Sequence, residues 1–359
     1  MWIRFLNFPR STYLKVTRHF RPSNMYASLR RWATTRQVTN RRAYPITTAL
    51  AFIWPFARDS DPVVSVDKIT VQLFRRATQA VVEQQFVEAD HLLHELLHHL
   101  WVAHGEGILD VDRYVRHRAR VCSELANVNL LLARYSEAEQ LIKQTIQDCT
   151  ALGVPLDDAM IVELSLKLAL VFEHVGRMDE AAIGFVYCIR AQEKKLNNPM
   201  EDEQLANERA LLGMCHNYYS KFLFKVGRST SALDHAKLGL RLAEQLYGID
   251  HPNSLHLLCD IAVILIELKR LDEARKELDQ ARCIVETQLG KSSCQNSDEL
   301  RLCLAHILLQ CVALEVMDGQ ISTANQLISQ LDQLLQSVKV TDQFRQQLEE
   351  YRTTFGLER

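Results

Sequence analysis

Four histidines fall within nine residues at positions 91, 94, 98 and 99, and two of them join Glu95 to spell His94-Glu95-Leu96-Leu97-His98. Two imidazoles one helical turn apart can share a tetrahedral zinc ion, and the intervening carboxylate can act as general base on the metal-bound water. A third protein ligand is then required. The extended metalloprotease pattern asks for Gly three residues after the second His and a further His three beyond, where this chain carries Trp101 and His104. With 13 histidines in the chain, chance also produces such a motif. A zinc peptidase using His94, Glu95 and His98 is therefore the minority alternative, and the elements around the motif decide against it below.

The 359 residues are 47% hydrophobic and 24% charged, enough for one large or two medium globular domains. Only 12 Gly and 8 Pro punctuate long runs rich in Leu, Ala, Glu, Gln and Arg, which favours a helical array over strands joined by tight turns. The 9 cysteines form no CxxC pair. Cys122, Cys188, Cys259 and Cys303 sit among Leu, Ala and Val, as small apolar fillers in a reducing compartment. No P-loop, Gly-rich dinucleotide loop, GxSxG elbow or Cys/His knuckle is present, so no cofactor is expected.

The formal net charge of −2 averages two unlike parts. Residues 1–58 contain 11 Lys and Arg and no acid, which leaves 31 basic residues against all 44 acidic ones in the remainder, a net of −13. An Arg-rich, acid-free segment carrying Ser, Thr and scattered apolar residues is expected to be a mitochondrial transit peptide, disordered over 1–42, rather than a nucleic-acid-binding arm. Residues 43–57, "AYPITTALAFIWPFA", form an apolar run bounded by Arg41, Arg42 and Arg58. As a helix it reaches only about 22 Å against a hydrocarbon core of ~30 Å. Tyr44 and Trp54 sit near its ends as interfacial anchors would, so 43–58 is expected to be a short membrane anchor and 59–65 a linker.

From residue 66 the chain repeats itself. The segments "FVEADHLLHEL", "YSEAEQLIKQT", "MDEAAIGFVYC", "STSALDHAKLG", "LDEARKELDQA" and "ISTANQLISQL" align on Ala89, Ala138, Ala181, Ala232, Ala274 and Ala324, spaced by 49, 43, 51, 42 and 50 residues. Small residues followed by larger apolar ones match the second helix of the tetratricopeptide repeat. In the third unit Ala169 and Ala181 let two helices approach, Phe172 and Phe185 fill the space beside them, and Gly176 permits a left-handed turn. In the second, Ser136 with Glu139 reads as a capping box. "GIDHPNS" at 248–254 is an inter-repeat turn of the kinesin-light-chain type, with Pro252 opening a helix. The expected fold is all-α: a tetratricopeptide-like right-handed helical-hairpin solenoid of about six hairpins over 66–340, closed by a capping helix over 341–359.

That register sets Ala89, Leu93 and Leu96 against the core, so His94 and His98 lie on a face fixed by helix packing rather than in a cleft. The expected activity is protein binding along a groove lined by the first helix of each unit. Groove-facing candidates are Asn127, Glu163, Glu173, Asn217, Asp260 and Glu267, with Leu166, Leu170 and Phe224 as apolar neighbours. An acidic repeat region complements a basic amphipathic presequence fragment.

"DDAMIVELSLKLALVFEHVGRMDEAAIGFVYCI" at 157–189 and "NERALLGMCHNYYSKFLF" at 207–224, with the Arg-rich leader, "TALAFIWPF" and "EADHLLHELL", resemble a family of mitochondrial tetratricopeptide repeat proteins associated with respiratory complex III. The likeness covers roughly residues 43 to 285 and weakens through the last hairpin. It implies an inner-membrane adaptor, not an enzyme, that binds assembled complex III and helps clear N-terminal fragments of the Rieske iron–sulfur subunit. It carries over no catalytic residues, and the HExxH pattern is not a feature of that family. Long insertions such as Lys194 to Leu205, and Pro45 and Pro55 beside the apolar segment, depart from it. A mitochondrial repeat adaptor for another complex is the alternative reading.

Overall fold

The computed structural model describes residues 67–290, 297–337 and 342–355. The expected transit peptide, apolar segment and linker all lie outside the described residues. Those residues form thirteen helices in six successive hairpins and one closing helix. The hairpins are α1 (Lys68–Val82) with α2 (Phe86–Gly105), α3 (Val111–Leu131) with α4 (Tyr135–Ala151), and α5 (Ala159–His174) with α6 (Met178–Leu196). They continue as α7 (Asp202–Lys225) with α8 (Ser229–Tyr247), α9 (Pro252–Glu267) with α10 (Leu271–Leu289), and α11 (Ser297–Met317) with α12 (Ile321–Leu335), before α13 (Asp342–Phe355). The chain divides into two compact units, and the division falls within α7: the described part of the first is 67–211, and the second begins at 212.

The six aligned alanines, Ala89, Ala138, Ala181, Ala232, Ala274 and Ala324, are each 0% exposed. Side chains this small let the two helices of a hairpin approach closely. In the third hairpin Phe172 and Phe185 are completely buried beside Ala169 and Ala181, and each ring contributes about 1.5–3 kcal/mol of burial. The second helix of one hairpin also packs on the first helix of the next, as α2 does on α3, α4 on α5, α8 on α9 and α10 on α11. First helices touch their successors in α3 with α5 and α9 with α11.

Every hairpin turns the same way. Five residues before each alanine stands a residue with positive φ: Gln84 (62°), Ala133 (56°), Gly176 (81°), Gly227 (79°), Lys269 (62°) and Gly319 (79°). This left-handed residue allows the next N–H to reach back and close the first helix, as in Arg177 to Phe172 O at 2.8 Å and Arg270 to Leu265 O at 2.9 Å. Because the turn itself ends one helix and opens the next, the second helix needs no side-chain cap. The capping box read at Ser136 and Glu139 does not form: α4 starts at Tyr135 after Arg134, with no side-chain cap bond. Glu139 instead pairs with Lys143 at 2.6 Å and Arg177 at 2.9 Å. Pro252 does occupy the first turn of α9, behind His251 as N-cap.

The units exceed the usual 34 residues because their helices are long, from 15 to 24 residues. Lys194 to Leu205, which reads as an insertion, is mostly the end of α6 and the start of α7. Asp298–Met317 of α11 is long and apolar enough to span a membrane, but 67% of it is buried in the protein, as befits a core helix. α13 closes the array on α11 and α12: Phe344 meets His306 edge-on at 4.9 Å, and Arg352 holds both Asp332 oxygens at 2.5 and 2.6 Å.

Candidate functional site

The His-rich motif lies on the solvent side of α2. Ala89, Leu92, Leu93 and Leu96 face the core, while His91, His94, Glu95 and His98 are exposed. His94 Nδ1 lies 2.8 Å from the Asp90 carbonyl, and the His98 ring stacks on Trp101 at 5.9 Å. His104 cannot join them, because α2 continues unbroken to Gly105. Six residues at about 100° each carry it to another side of the helix. There its Nδ1 meets the Leu109 carbonyl at 2.9 Å and its ring stacks on Tyr114 at 4.5 Å. Among the described residues no three His, Cys, Asp or Glu side chains converge as a metal site.

The groove candidates sit on first helices, and they differ in access. In the first unit Asn127 is only 3% exposed and donates to Glu124 at 3.0 Å. Glu163 joins a polar cluster between α3 and α5: Lys167 at 2.7 Å, Ser123 Oγ at 2.9 Å and Arg120 at 3.8 Å. Burial alone would raise the Glu163 carboxyl, but Lys167 and Arg120, with hydrogen bonds from Lys167 and Ser123, bring it down to about 2. Glu173, at the end of α5, is half-buried.

In the second unit Asn217 is 1% and Asp260 4% exposed, and Asp260 pairs with Lys221 at 3.1 Å. Glu267, at the end of α9, is half-buried. The structure therefore brings Asn127 and Glu163 into one polar cluster. It commits Asn127 and Asp260 to internal partners, packs Asn217 out of solvent, and leaves Glu163, Glu173 and Glu267 half-buried, Glu163 already paired with Lys167.

Sequence reasoning missed the cations. Among the described residues the buried carboxylates each have one, Glu124 with Arg120, Glu208 with Lys195, Asp260 with Lys221 and Glu315 with Arg275, and half-buried Glu163 has Lys167. Residues 14 positions before the helix-B alanines of units two, three, five and six are Glu124, Lys167, Asp260 and Gln310, all buried. That register, with the four-residue spacing of Arg120 to Glu124 and Glu163 to Lys167, is the signal that would have found them. A second series joins successive repeats in the first unit, where Arg134 reaches Asp90 at 3.2 Å and Arg177 reaches Glu139 at 2.9 Å.

A thiol and an imidazole also meet, with Cys303 Sγ 3.4 Å from His256 Nε2. Burial pushes the thiol up to about 12 and the imidazole down to about 4. Both are neutral near pH 7, so the pair packs as a polar contact and supplies no thiolate nucleophile. The four cysteines read as fillers, Cys122, Cys188, Cys259 and Cys303, are buried free thiols.

Hairpins stacked on buried alanines through a uniform left-handed turn make this an all-α helical-repeat solenoid of the tetratricopeptide type. The family model described as tetratricopeptide repeat matches residues 214–286. Curated relatives named tetratricopeptide repeat protein 19, mitochondrial, are similar to the chain. The Homo sapiens protein is 27% identical over 211 residues, covering 57% of this chain and 53% of the relative. The Rattus norvegicus protein is 25% identical over 247 residues, covering 65% and 64%. The Drosophila melanogaster homolog is 21% identical over 211 residues, covering 59% and 54%. The chain thus matches between about half and two thirds of these relatives' lengths. Among solved structures, BtubC (BKLC) from P. vanneervenii is similar in fold, with TM-score 0.52, 14% identity, and coverage of 76% of this chain and 92% of that one. A Rap protein complexed with competence and sporulation factor has TM-score 0.52 and 11% identity, with coverage of 80% and 76%.

Proposed function

We propose that the protein is a non-catalytic mitochondrial adaptor of the inner membrane. In this reading it binds respiratory complex III and supports its maintenance by helping to clear N-terminal fragments of the Rieske subunit. The observation that carries the reading is the conjunction of a helical-repeat array with relatives named mitochondrial tetratricopeptide repeat protein 19. An array of this kind offers long first-helix surfaces, which suits binding. The mitochondrial names of the relatives agree with an acid-free, Arg-rich leader. The complex III and Rieske roles rest on the resemblance and are proposals for this chain.

The polar lining proposed for partner contact divides by access. Half-buried Glu173 in the first unit and Glu267 in the second are the direct acidic contacts, Glu163 is held by Lys167 and Arg120, and buried Asn127, Asn217 and Asp260 shape the surface from within. The full chain should bind a synthetic basic N-terminal Rieske peptide, more weakly as salt rises, because the Debye length is about 8 Å at physiological ionic strength. Each exposed pair is worth roughly 0.2–1 kcal/mol, so Glu173→Lys or Glu267→Lys should weaken binding up to about fivefold. Salt-independent binding that neither variant changes would reject the acidic groove.

A further inference from the structure

We propose that His94 and His98 form an open two-histidine site for a single divalent transition ion, distinct from any peptidase centre. The two side chains leave one face of α2 one turn apart, and both are exposed. His94 is already oriented as a ligand. Its Nδ1 lies 2.8 Å from the Asp90 carbonyl and 3.7 Å from the Asp90 carboxylate; both oxygens only accept, so a neutral ring placed here carries its proton on Nδ1 and has its lone pair on Nε2. Metal-binding histidines are typically fixed by such a carbonyl contact. His98 is steadied on its other side by the Trp101 ring.

The surroundings favour a cation. Glu88 and Glu95 are exposed on the same helix, where Arg76 lies 3.9 Å from Glu88 and Arg134 lies 3.2 Å from Asp90. His104 is turned away, and no third His, Cys, Asp or Glu among the described residues converges with the pair. Water therefore completes the coordination. Imidazole nitrogens select copper, nickel and zinc over magnesium and calcium, in the order Cu²⁺ above Ni²⁺ and Zn²⁺. The HExxH spacing is then the trace of a chelate rather than of a catalytic centre.

The test uses the full chain stripped of metal by a chelator and titrated calorimetrically with Cu²⁺, Ni²⁺, Zn²⁺ and Mg²⁺. Trp101 is the one tryptophan after residue 54, and Cu²⁺ at the neighbouring His98 should quench its share of the emission. His94→Ala with His98→Ala is expected to weaken Cu²⁺ and Ni²⁺ binding at least tenfold and abolish that quenching. His174→Ala, an exposed histidine on α5, should change neither. Alanine preserves helix propensity, and unchanged circular dichroism would show that the variants are folded. Equal affinity in the double variant, equal weakening by His174→Ala, or binding of Mg²⁺ as tight as Ni²⁺ would each overturn the site.

Discussion

The left-handed turn residues make opposite demands in different repeats. At Gly176 (φ 81°) an added Cβ would meet nothing within 4 Å, so the penalty of Gly176→Ala is backbone strain alone. At Lys269 (φ 62°) and Ala133 (φ 56°) an L-residue already carries that strain. The left-handed conformation costs a non-glycine residue about 1–2 kcal/mol, and the greater freedom of glycine in the unfolded chain offsets about 0.4–1 kcal/mol. Gly176→Ala should therefore destabilise the first unit by about 1 kcal/mol, while Ala133→Gly stabilises it and Lys269→Gly stabilises the second unit by about the same amount. For units of this size that corresponds to about 2–4 °C in midpoint. Thermal unfolding followed by far-ultraviolet circular dichroism reads the shift, and the two turns of the first unit give an internal comparison. Ala133→Gly and Gly176→Ala moving the midpoint in the same direction would refute the shared turn geometry.

Other outcomes follow from the packing and the charges. Ala181→Asp places a carboxylate where α5 and α6 touch and should unfold the first unit, by more than about 4 kcal/mol, as seen in loss of helicity. Lys167→Met removes the nearest cation from half-buried Glu163, leaving Arg120 at 3.8 Å, and should lower the urea midpoint by the equivalent of about 1–3 kcal/mol, whereas Glu139→Gln on the half-exposed pair should cost under about 1 kcal/mol. Acidification should destabilise the fold. Burial, with His235 as a further cause, holds His216 at about 4, and burial holds His256 at about 4 and His306 at about 3. Below the ordinary histidine value near 6.5 the unfolded chain binds more protons than the folded one. Glu163, held at about 2, withdraws its contribution below about 4.5. The urea midpoint should thus fall steadily from pH 7 to pH 4, and a flat profile would contradict the buried neutral histidines. Glu95→Gln should leave complex III activity unchanged, while a loss of several orders of magnitude in a hydrolytic assay would restore the peptidase reading.

The hairpins were legible because one constraint repeats: only a small side chain fits where two helices cross, and Ala89 to Ala324 mark that place in all six units. Gly176 announced its turn by residue type, but Gln84, Ala133 and Lys269 did not, since nothing in those side chains signals positive φ. The false capping box at Ser136 arose from the same blind spot, because a left-handed turn had already satisfied the chain where a cap was sought. The groove candidates fall on first helices, as their register implies. Their access was not legible, because burial of Asp260 depends on Lys221 and that of Glu163 partly on Arg120, each supplied from about 40 residues away. His94 and His98 were placed on the correct face because Leu93 and Leu96 fix the rotation of α2.

Affinity capture from solubilised mitochondria, with a tag at Arg359 and mass spectrometry of the recovered proteins, tests the adaptor reading most directly. Recovery of complex III subunits together with N-terminal Rieske fragments is the predicted result, and recovery of the intact tagged chain without any complex III subunit would contradict it.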